Sequence, residues 1–172
     1  MRASRYAVLA LLITAAAPLT AAGQSSARLD QRSFAPPRPI DPTIFRARMA
    51  AADSLSYLGR LNEARRSYRA IADEQLAAGA YAGDALWHLA NSFYGDDDNR
   101  AAAVLDELAS TAARFGDPTM EINATFESAI IYQRVHQGTR AATRLGRVKE
   151  LLQSPAISDD AKAAIVARLK TA

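Results

Sequence analysis

The tetrad Asp41-Pro42-Thr43-Ile44 returns as Asp117-Pro118-Thr119-Met120, 76 residues further on. Gly79-Ala80 stands midway between the two copies, and Pro155 stands 38 residues beyond Asp117. A period between about 20 and 50 residues marks a chain built from stacked supersecondary units, each unable to bury its apolar face alone. Asp followed by Pro starts a helix: the Asp oxygen accepts from a free first-turn N–H, and proline lacks a donor that the first turn does not use. No proline falls between Pro42 and Pro118, so the helices between the two copies run unbroken.

Three- and four-residue spacings predict two antiparallel helices per unit. The first runs over about 42–58, with Ile44, Phe45, Arg48, Met49, Ala52 and Leu55 on one broad face, and Gly59 ends it. The second runs over about 62–78, with Leu61, Ala64, Tyr68, Ile71, Ala72 and Leu76 inward, and Gly79 ends it. The same pair follows at about 80–94 and 99–115, separated by Gly95-Asp96-Asp97-Asp98, and again at about 118–136 and 139–152, separated by Gln137-Gly138. A last helix opens at Ser158-Asp159-Asp160 and carries Ala161, Ile165 and Leu169. The expected units are therefore 41–78, 79–116 and 117–153, closed by a cap over 154–172.

The second helices align. Ala64, Ala101 and Ala141 correspond, as do Tyr68, Leu105 and Leu145, and Ile71, Leu108 and Val148. This pattern of a small residue, a large one four positions on and another three further resembles the tetratricopeptide (TPR) repeat. The stretch from Tyr57 to Tyr68 is similar to that family, and Trp87, Ala90 and Tyr94 echo its first-helix positions. The period near 38 is longer than the family's usual 34, so the array is a divergent one. The resemblance implies an all-α fold: a right-handed superhelical stack of antiparallel helix pairs, about three TPR-like repeats plus a C-terminal capping helix.

Composition agrees with close helix packing. Of 85 apolar residues 39 are alanine, the strongest helix former and the one that lets backbones approach. With no cysteine, disulfide scaffolds and Cys-based metal or redox sites are excluded.

Residues 1–23 read as a secretory signal peptide: Arg2 and Arg5, an apolar run from Ala7 to Ala17, Pro18, then small residues at Ala21-Ala22-Gly23. The run is too short to cross a bilayer core, which needs about 20 residues. Residues 24–40 read as an exposed Pro-rich disordered linker, because Ala35-Pro36-Pro37-Arg38-Pro39 must be extended. Without residues 1–23 the balance is 19 basic against 18 acidic residues, which lacks the concentrated basic footprint of a nucleic-acid binder. The expected location is periplasmic or secreted, with no integral membrane span after cleavage.

Chemical motifs are sparse. His88 and His136 have no second ligand at helical spacing, and no GxSxG, HExxH or phosphate-cradling glycine loop occurs. Asp96-Asp97-Asp98 reads as a helix cap with first-turn acids, since the glycine and distal glutamate of a calcium loop are missing. Arg140, Arg144 and Arg147, with Arg134 nearby, read as a solvated face, with an anion or acidic partner as the alternative. No cofactor is expected.

What the resemblance implies is binding of a protein or peptide partner in a concave groove lined by first helices. Carried over position by position, the groove takes Met49, Asp53 and Tyr57 from the first unit, Trp87, His88 and Asn91 from the second, and Asn123, Glu127 and Gln133 from the third. Plain packing between repeats is the competing assignment, above all for Trp87 and Met49. Two other functions stand beside the scaffold or adaptor reading. One is a structural or homo-oligomerising component of the cell envelope. The other is a hydrolytic enzyme using His88 with Glu127 or an acid from Asp96 to Asp98, which no spacing demands.

Overall fold

A computed structural model describes residues 38–170. The segment expected to be a signal peptide, and the linker as far as Pro37, lie outside the described residues. Seven helices follow in chain order: α1 (Pro42–Tyr57), α2 (Leu61–Ala77), α3 (Gly83–Asn91), α4 (Asp98–Phe115), α5 (Pro118–Arg134), α6 (Gly138–Leu152) and α7 (Asp159–Leu169). There is no strand among the described residues. None of these helices is long and apolar enough to cross a membrane.

The helix starts are set by local chemistry. Asp41 accepts from the N–H groups of Thr43 and Ile44, and Asp117 from that of Met120, each with proline in the first turn. Asp97 caps α4 through the Arg100 N–H, and Ser158 caps α7 through that of Ala161. The acidic triplet is thus a cap, and Asp98 adds a bond from the Gly95 N–H. The chain turns out of the helices through left-handed residues, with φ of +74° at Gly59, +70° at Gly79, +76° at Gly95 and +73° at Gly116. After α5 the same conformation falls on His136, with φ 59°. There a side chain occupies a geometry that glycine adopts without strain.

Each helix from α1 to α6 packs on its sequence neighbour, most extensively α4 on α5, and α7 returns to touch α5. Ala64 and Ala101 are fully buried, and Ala141 nearly so. They join Tyr68, Ile71, Leu86, Leu105 and Leu108 in a core that runs from α1 to α6. A second cluster of Ile122, Phe126, Val148, Leu151, Ile157 and Ile165 lies among α5, α6 and α7. The cap is therefore seated by its own apolar contacts.

Two boundaries differ from the periodicity. The second unit's first helix spans Gly83–Asn91 rather than 80–94. Its start is delayed because Tyr81 turns away to donate to Asp117, 3.1 Å distant. It ends early at Ser92, whose carbonyl accepts from the Arg65 guanidinium. The linker also ends sooner than its composition suggests. Ile40 is buried, and its N–H donates to Oε1 of the buried Gln75 at 3.1 Å, so the last linker residue is fastened to α2.

Side-chain bonds also join helices two apart in sequence. Arg69 on α2 binds Glu107 on α4, and Arg144 on α6 binds Asp106 on α4. His88 on α3 meets Asp53 on α1, and Arg168 on α7 meets Glu127 on α5. Odd helices are linked to odd and even to even.

Candidate functional site

α1 and α3 are held side by side at one point. The Asp53 carboxylate, on the penultimate turn of α1, accepts through Oδ1 from the Tyr68 hydroxyl at 2.6 Å, and the same oxygen lies 2.9 Å from Nδ1 of His88. Tyr68 comes from α2, where the periodicity places it in the core. Its ring is buried and tilted at 46° to the His88 ring, with centroids 5.5 Å apart. A buried phenol needs a partner for its hydroxyl, and Asp53 supplies it. Burial, followed by the Asp53 carboxylate, pushes the Tyr68 hydroxyl well above its ordinary pKa. It therefore remains a proton donor at any physiological pH.

Around this bond lies an open cleft of about 340 Å³ lined by Asp53, Ser56, Tyr57, Tyr68, His88, Asn91 and Ser92. Four of the nine residues expected in a groove, Asp53, Tyr57, His88 and Asn91, meet here. Tyr57 is 92% exposed, and Asn91 is exposed. With Nδ1 against Asp53, the uncharged tautomer that donates there keeps Nε2 as an acceptor. No bond among the described residues engages Asp53 Oδ2. Among the described residues no lysine or arginine lines the cleft.

The other five do not join this cleft. Met49 is buried in the core and offers no groove surface, and Trp87 packs against the same core; for these two, packing between helices describes their surroundings. Glu127 is spent: Arg168 of α7 holds it at 2.5 Å, and the Tyr94 hydroxyl donates to it at 3.2 Å. Asn123 is half-buried on α5. Gln133 lies in a separate, shallow recess with Ile130, Arg134 and His136. The cap seated on α5 explains the asymmetry, because it takes up the α5 acid that a ligand would otherwise meet. The residues that sequence reasoning missed are Tyr68, Ser56 and Ser92. One signal existed for Tyr68: it is a tyrosine where the next two units have Leu105 and Leu145.

The basic face of α6 is not a reserve of available cations. Arg144 is committed to Asp106, Arg147 to Glu121 and Glu150, and Arg134 to Asp98, while Arg140 bonds Gln137 and lies over the Tyr132 ring. A larger cavity of about 470 Å³ opens between α2 and α4, with Leu89, Phe93 and Val104 below Arg65, Arg66, Arg69 and Arg100. Three of those arginines are already paired, with Asp96, Glu107 and Asp97. Most of its charged groups are paired within the chain, whereas in the α1–α3 cleft Asp53 Oδ2, His88 Nε2 and the Asn91 side-chain amide carry no bond among the described residues.

Neither serine hydroxyl of the cleft is bonded to Asp53 or His88 among the described residues. Ser92 Oγ donates to the Leu89 carbonyl, and Ser56 is drawn to Tyr68. What the cleft offers is a set of acceptors and an exposed aromatic ring. No group of three or more metal-ligating side chains occurs among the described residues. No family model, curated protein or solved structure matches the chain.

Proposed function

We propose that the chain is an exported adaptor, a divergent TPR-like stack that binds an extended segment of a protein partner in the cell envelope through its first helices. The observation that carries this reading is the convergence of Asp53, Tyr57, His88 and Asn91 from two helices onto one cleft with hydrogen-bonding atoms left over. An extended chain presents alternating donors and acceptors, and such surfaces are met by amides and exposed aromatics. The links of α1 to α3 and α5 to α7 support a row of odd helices, which is what a groove lined by first helices requires. Export rests on the composition of residues 1–23.

Selection from a random peptide display library tests this. Enriched peptides are expected to shift backbone amide resonances of α1 and α3, and to lose affinity in Tyr57→Ala and Asn91→Ala. Shifts confined to the α2–α4 cavity, or no enrichment at all, would overturn the assignment.

A further inference from the structure

Resting on the reading of the α1–α3 cleft as a peptide site, we propose that the side chain it seats is a primary ammonium, the lysine of an extended peptide. The charge around Asp53 points this way. Four other carboxylates that tie helices together are neutralised by arginine, Asp106 by Arg144, Glu107 by Arg69, Glu121 by Arg147 and Glu127 by Arg168, and both oxygens of Asp117 are engaged, by Tyr81 and by the Met120 N–H. Asp53 is instead held by a phenol and a histidine, with no arginine or lysine bonded to it among the described residues. Both lie on Oδ1, so Oδ2 has no bonded partner among the described residues. The cleft thus carries a carboxylate with no lysine or arginine in its lining among the described residues.

The remaining groups include acceptors and an aromatic face. In the uncharged tautomer that donates from Nδ1 to Asp53, His88 Nε2 has a lone pair, and Asn91 contributes an amide oxygen. An ammonium has three donors and no acceptor, so it matches Oδ2, Nε2 and an amide oxygen in number and in sense. Tyr57, 92% exposed, supplies a ring over which a cation is attracted by the quadrupole. An incoming carboxylate would meet Asp53 as a like charge. A neutral apolar side chain would bury acceptors without satisfying them.

The test uses three blocked pentapeptides that share one backbone and carry lysine, norleucine or glutamate at the centre. Binding to the full chain is followed by amide chemical shifts. The lysine peptide is expected to bind at least about tenfold more tightly than the norleucine peptide, with glutamate weakest. In Asp53→Asn, which keeps an acceptor for Tyr68, the lysine-to-norleucine ratio is expected to fall to about one while the circular dichroism is unchanged. Equal affinities of the lysine and norleucine peptides for the unaltered chain would overturn the ammonium assignment and leave the peptide cleft standing. If none of the three peptides shifts α1 or α3 resonances, both fall.

Discussion

The Arg144 guanidinium on α6 grips the Asp106 carboxylate on α4 through two parallel bonds, Nε to Oδ1 at 2.7 Å and Nη2 to Oδ2 at 2.8 Å, across 38 residues of sequence. Arg69 holds Glu107 in the same bidentate manner, at 2.8 Å and again across 38 residues. Gln137 donates to Asn99 at 2.6 Å, also 38 apart. The spacing that separates the tetrads by two periods is thus repeated in bonds between one unit and the next. Planar, two-point pairing of this kind fixes orientation as well as distance.

Asp106 accepts from the Tyr132 hydroxyl as well, at 2.8 Å. Asp106→Ala removes the common acceptor of two partly buried donors and is expected to cost about 2 kcal/mol, below the figure for a fully buried pair because Arg144 keeps contact with solvent. Urea unfolding at neutral pH measures it. A loss under about 0.5 kcal/mol would mean that the bidentate pair contributes no more than an exposed one.

Four tyrosine hydroxyls donate to carboxylates between helices: Tyr68 to Asp53, Tyr81 to Asp117, Tyr94 to Glu127 and Tyr132 to Asp106. Burial, then the neighbouring acid, raises the pKa of each in the folded chain. A raised folded-state value contributes stability that is complete below the unfolded tyrosine pKa of about 10 and is lost as pH climbs toward the folded value. Stability from this source should be flat from neutrality to about pH 9.5 and fall beyond pH 10. Phenolate absorbance should rise late and together with the loss of helical circular dichroism. A titration in which all tyrosines ionise near pH 10 with the helices intact would contradict it.

Gly83 is buried under the Tyr81 ring, and a Cβ at that position would lie 2.5 Å from Tyr81 Cζ. The ring has little freedom to retreat, being bonded to Asp117 and packed 5.6 Å from the Phe115 ring. Gly83→Ala should therefore destabilise by about 1–3 kcal/mol, although alanine is the better helix former. In a Tyr81→Ala background the same change should be neutral or favourable, and thermal melts of the double-mutant cycle read the difference.

His136 occupies the left-handed position that glycine fills at Gly59 and Gly95, the corresponding turns of the earlier units. Relief of that strain predicts that His136→Gly raises stability by about 1 kcal/mol, offset in part by the freer unfolded chain. The denaturation midpoint should move upward. A decrease would show that the imidazole makes a contact worth more than the strain.

Much of the fold was legible because its determinants are local. Asp41-Pro42, Asp117-Pro118, Asp97 and Ser158 cap their helices through N–H groups two or three residues away, and left-handed glycines mark four of the turns. The aligned alanines, Ala64, Ala101 and Ala141, are buried as their spacing requires. The site was legible in half. Asp53, Tyr57, His88 and Asn91 lie on exposed first-helix faces and do gather, but Met49 lies on the inward face of the same helix and is buried. Glu127 has a first-helix position like theirs; what removes it is Arg168, 41 residues away on the cap.

Apart from the two ends of α3, which long-range bonds to Asp117 and from Arg65 displace, helix starts, stops and buried faces were determined by the sequence alone, since capping bonds, left-handed turns and a repeat of three and four residues act within one or two helical turns. Only the tertiary structure decided which polar groups are spent and which remain. An arginine on α6 is solvated or neutralised according to whether α4 brings a carboxylate within about 3 Å of it, and that depends on the angle and offset between units. The same angle sets α3 beside α1 so that one oxygen of Asp53 answers both Tyr68 and His88, leaving the other without a bond among the described residues.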